Sequence, residues 1–108
     1  MSEDSQLGAD FLVAELVELG DVSAKGMFGG HGVFFDARMF ALVTKEGEIF
    51  FKTSVQNQAQ YDEAGSEQFM NMPYYALPED VRENGSLLIE WARSSIDVAL
   101  AAPSKKKR

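Results

Sequence analysis

At 108 residues, with a formal net charge of −7 and no cysteine, the chain can bury one modest core and excludes disulfides, thiolate metal sites and a cysteine nucleophile. Hydrophobic residues make up 45%, which argues against disorder, and no apolar run approaches the ~18 residues of a membrane helix. Lys105, Lys106, Lys107 and Arg108 supply four of the ten basic residues; the remaining body, with six basic against 17 acidic, stands at −11 and repels phosphate backbones.

In chain order, Leu7, Phe11 and Ala14 join Leu12, Leu16 and Leu19 at helical spacing. They predict a helix over residues 7–19, capped by Asp4 or Ser5 and stopped by Gly20. Next comes "GMFGGHGVFF", Gly26 to Phe35. A nucleotide-binding loop needs a strand before its glycines and a helix after them, because the helix N-terminus holds the phosphates. Here strand alternation follows the glycines, and no Gly-Lys-Ser/Thr triplet occurs, so no cofactor is expected. Met27, Phe28, Gly29, Gly30 and Gly32 read instead as a turn that brings the chain into its first strand. His31, the only histidine, is predicted to be exposed in that turn. Ser23 and Asp36 lie near it in sequence, but no spacing forces them together, so no catalytic residue is assigned and an enzyme is not expected. One histidine without cysteine gives no basis for a metal site.

From Val33 the period becomes two, predicting antiparallel strands near residues 32–36, 38–44 and 48–53. Val33, Phe35, Ala37, Met39, Ala41, Val43, Ile49 and Phe51 form the predicted core face. The opposite face carries Phe34, Phe40, Leu42 and Phe50, which either lie under the rest of the chain or form a surface for a partner or a second copy. A helix is expected over residues 55–64, then weak strands at 68–71 and 74–77. Pro78 opens a helical region interrupted at Asn84-Gly85, and Ser86 is the predicted cap of a last helix carrying Leu88, Trp91, Ser95 and Val98 on one face. The order α-β3-α-β2-α reads as one α+β domain over residues 1–102, a two-layer sandwich with an antiparallel sheet and helices mainly on one face. Residues 103–108 form a basic tail.

The stretches "MFGGHGVFFDARMFALV" (Met27–Val43), "IFFK" (Ile49–Lys52), "YYALPEDV" (Tyr74–Val81) and "LLIEWARSS" (Leu87–Ser95) together resemble the N-terminal domain of the TfoX/Sxy regulators of competence for DNA transformation. The similarity runs from about residue 7 to residue 100. The resemblance implies the same two-layer fold, no cofactor, no catalytic residues, and a bacterial, cytoplasmic protein that regulates transcription together with other proteins. The expected function is therefore non-enzymatic regulation through contact with the transcription machinery or another regulator, or through self-association. Two alternatives stand beside it: direct DNA binding through Lys105–Arg108, and a small enzyme or ligand-binding module at the glycine turn.

Overall fold

Hydrophobic spacing sets the first element, but it starts earlier than its apolar residues do. In the computed structural model, which describes residues 3–27 and 29–101, helix α1 spans Glu3–Leu16 and is followed by a 3₁₀ turn, Val17–Leu19. Ser5, Ala9, Leu12 and Leu16 form its buried stripe at helical spacing. Ser5 and Asp4 thus lie inside the helix rather than capping it. Gly20 ends the turn at φ +133°, a value that favours glycine.

A five-stranded antiparallel sheet follows, in the order β1-β2-β3-β4-β5. Its strands are β1 (Val22–Met27), β2 (Gly30–Phe35), β3 (Arg38–Val43), β4 (Ile49–Lys52) and β5 (Tyr74–Ala76). Strand β1 was not expected: Ser23, Ala24, Lys25 and Gly26 are all exposed, so no apolar alternation marks it, and pairing with β2 makes it a strand. Residues 68–71 form no strand and contribute only a bridge between Gln68 and Tyr75. Four strands therefore precede α2 (Gln58–Ala64) and one follows it, in place of the expected three and two.

The predicted sheet faces hold except at Ala37, which is exposed in the β2–β3 turn at φ +70°, and at one point within β3. The β2–β3 register runs Val33↔Ala41 and then Phe34↔Met39, leaving Phe40 as an extra residue in β3. This bulge turns consecutive residues toward the same side, so Phe40 and Ala41 are both fully buried. Phe40 meets Phe51 edge-on in the core, at 6.0 Å between ring centroids, and Met39 moves to the other face. The expectation that Phe40 lies on the open face is thereby corrected.

The helices gather on the face of Val33, Ala41, Val43, Ile49 and Phe51, where Leu12, Leu16, Tyr61, Leu88, Ala92 and Ile96 complete one core. Helix α3 (Glu79–Arg82) follows Pro78, and α4 (Gly85–Ala101) is capped by Asn84 rather than Ser86. The Asn84 side-chain oxygen accepts the N–H groups of Ser86 and Leu87 at 3.1 and 3.2 Å. Ser95 Oγ donates to the Lys52 carbonyl at 2.9 Å, fastening α4 to β4. At its other end, Arg38 donates to the carbonyls of Ala99 and Leu100 at 3.0 and 3.2 Å. Helix α2 starts three residues later than expected, leaving Val55 95% exposed, and ends at Gly65 in the left-handed region, φ +74°.

Candidate functional site

The glycine run performs three separate tasks. Met27 and Gly30 close a tight β1–β2 hairpin, with Gly29 at φ +79° supplying the positive φ that such turns require. Phe28 lies outside the described residues. Gly30 is inside β2, and a Cβ there would run into the Val43 carbonyl oxygen of β3. Gly32 clears the opposite sheet face: a Cβ would stand 2.8 Å from Met39 Sδ and 3.1 Å from Met27 Sδ. Two thioethers therefore lie across a glycine floor.

That floor belongs to an apolar groove of about 410 Å³ on the face away from the helices. Met27, Met39, Leu42, Phe69, Met70 and Met72 line it, and Lys45 and Glu46 stand at its rim. One wall is the segment before β5. Phe69 packs at a tilt against Phe50, 5.0 Å between centroids, and Met72 N–H donates to the Phe69 carbonyl at 3.0 Å. This turn holds Met70 at φ +51° and presents its side chain at 76% exposure. The chain has five methionines, and the four after Met1 all line this groove. Methionine adapts its shape at little cost, which suits a surface that repacks around a partner.

Of the expected surface residues, Phe34 and Leu42 are half-buried on this face, whereas Phe50 is covered by Phe69. Met39, Phe69, Met70 and Met72 were not expected here. The signal available in the sequence was the methionine count; the turn that assembles them had no periodicity to betray it.

His31 is not in the turn. It lies in β2, half-buried, and its Nδ1 stands 2.6 Å from Ser5 Oγ on α1. Ser23 pairs with Phe34 instead, and Asp36 lies at the far end of β2. The Ser5 hydroxyl is fully buried under α1, so this Ser–His contact ties the helix to the sheet and offers no nucleophile to a substrate. Among the described residues, no three His, Asp or Glu side chains are placed to hold a metal ion, and no helix is long and apolar enough to cross a membrane. Lys105, Lys106, Lys107 and Arg108 lie outside the described residues.

Two buried phenols sit near these surfaces. Loss of solvation on burial pushes Tyr61 and Tyr74 each up to about 12. Tyr61 packs edge-on against Trp91 at 4.7 Å, and Tyr74 receives the Lys52 ammonium over its ring at 5.3 Å.

The fold is an α+β domain with an apolar, methionine-lined groove on the sheet face away from its helices. The family model of the TfoX N-terminal domain matches residues 14–99, and the chain belongs to that family. Membership implies a competence-related regulatory domain. A comparison with curated proteins gave no match.

Proposed function

We propose that this chain is a non-enzymatic, cytoplasmic regulator that acts on transcription through protein contacts, with the methionine groove as its docking surface. The occupant that fits is an apolar segment of a partner regulator, such as the hydrophobic stripe of an amphipathic helix. The convergence of Met27, Met39, Met70 and Met72 on one groove carries this reading. The −11 charge of the body supports it against direct reading of DNA, because the same field that repels phosphate leaves an uncharged groove unaffected.

The test is a Met70→Glu, Met72→Glu double variant in the native host. Both side chains are exposed, so the fold, followed by circular dichroism and melting, should be retained. Transcript levels of competence-linked genes should fall to those of a strain lacking the protein. Wild-type transcript levels with the variant would overturn the reading.

A further inference from the structure

Beyond Met1, the sulfur of this chain lies on one surface: there is no cysteine, and the other four methionines all line the groove. They fall into two pairs. Met27 and Met39 form the floor, each half-buried, with both sulfurs within 3.1 Å of the point where a Gly32 Cβ would stand. Met70 and Met72 stand on the outer wall, at 76% and 39% exposure. Their turn is fastened through backbone groups and a glutamine, not through the thioethers. Gln68 Nε2 donates to the Met72 carbonyl at 2.9 Å, and Tyr74 N–H donates to the same carbonyl at 2.7 Å. Neither Met70 nor Met72 belongs to the core beneath the helices.

We propose that Met70 and Met72 are a reversible oxidation site, where hydrogen peroxide or a related two-electron oxidant converts both thioethers to sulfoxides and makes the groove wall polar. In each step the Sδ lone pair attacks one peroxide oxygen and the O–O bond breaks as an S–O bond forms. The transferred oxygen gives its proton to the departing hydroxide, which leaves as water. Sulfur loses two electrons and the peroxide gains them. No thiol in the chain competes for the oxidant, so access to solvent sets the order of reaction. Met70 is the most open, Met72 follows, and Met27 and Met39 crowd together over Gly32.

The added oxygen changes the surface and spares the fold. A sulfoxide is a strongly polar acceptor, and an apolar occupant that covers it strips away its water and offers no donor in return. The oxidised groove therefore rejects what the reduced groove takes. The bonds that shape the turn do not involve Sδ, so residues 68–74 keep their path when Met70 and Met72 react. Methionine sulfoxide is reduced back by a pair of enzymes, one for each sulfoxide epimer, and side chains on an exposed turn are open to both. The release of a docked partner on oxidation rests on the groove's proposed role; the oxidation of Met70 and Met72 does not.

Timed exposure of the full chain to hydrogen peroxide, read by peptide mass spectrometry and by melting, tests the site. Met70 should take up oxygen first and Met72 next, with Met27 and Met39 several-fold slower and the melting transition retained. The two sulfoxide reductases with dithiothreitol should then remove the oxygen from Met70 and Met72. Equal rates at all four methionines, unfolding as Met70 and Met72 react, or sulfoxides that resist both reductases would each overturn it. The change of polarity is read with Nile red, an uncharged apolar dye, in fluorescence titrations. Its affinity should fall about tenfold on oxidation, because a sulfoxide oxygen is buried unpaired beneath it, and should return on reduction. A Met70→Gln, Met72→Gln double variant should bind the dye as weakly as the oxidised chain does. A reduced wild type that does not bind Nile red would remove the groove's docking role and the release with it. Equal binding before and after oxidation of Met70 and Met72 would leave the docking role standing and overturn the switch alone.

Discussion

Gly30 and Ala37 occupy opposite kinds of misfit, and substitution should move stability in opposite directions. At Gly30 a side chain meets backbone, the Val43 carbonyl, which cannot step aside as a side chain would. Gly30→Ala should therefore cost about 3 kcal/mol, read from a denaturant midpoint. At the β2–β3 turn, Asp36 and Ala37 both have positive φ, +51° and +70°. Alanine is strained there, so Ala37→Gly should gain roughly 0.5–1 kcal/mol in the same assay. The buried phenols give a pH signature. Their folded pKa of about 12 lies above the ordinary 10.0, so the unfolded chain loses these protons first as pH rises. The stability they contribute is complete below pH 10 and is lost between about pH 10 and 12, on the order of 2 kcal/mol for Tyr61. Tyr61→Phe should flatten that alkaline decline in urea titrations at increasing pH. At pH 7 it removes only a hydroxyl lying beside Ser95 and Gln60, so the change there should be small next to the alkaline effect.

At the scale of elements, α4 carries much of the core, and its docking depends on one aromatic contact and several polar ones. Trp91 is only half-buried, yet its ring closes over Tyr61, which is fully enclosed. Trp91→Ala should cost about 3 kcal/mol and leave Tyr61 open to water, with the denaturation midpoint and tyrosine absorbance as readouts. The helices were largely legible in the sequence because apolar spacing and stop glycines act locally: Gly20 ends the first helical stretch as expected, and α2 ends with residue 64 as expected, at the left-handed Gly65. Their starts were less legible. Helix α1 begins before its apolar residues because Ser5 is held by His31, which is 26 positions away. Strand β1 was not legible at all, since its faces carry small or polar side chains and only β2 holds it.

For the molecule as a whole, charge separates contact with protein from contact with DNA. Any affinity for duplex DNA should reside in Lys105–Arg108, with a slope of log affinity against log salt no steeper than roughly −3.6 and no sequence preference. Removing residues 104–108 should abolish that affinity and leave melting unchanged. A salt-series titration of the intact and truncated chains measures both. Sequence-selective binding that survives truncation would place DNA reading on the folded body.

The sequence by itself determined the α+β class, the core residues Val33, Ala41, Val43, Ile49 and Phe51, and the family, because period and motif are properties of neighbouring positions. Tertiary structure decided the rest. A single extra residue at Phe40 exchanged the faces of two side chains, and strand parity cannot reveal a bulge that is defined only by the pairing of β3 with β2. The groove likewise exists only after folding. Met27, Met39, Met70 and Met72 are spread over 46 residues, and what unites them is a glycine that lets β2 carry no side chain beneath them and a turn packed on Phe50. Contacts between positions so distant are set by the packing of the whole sheet, and no local pattern encodes them.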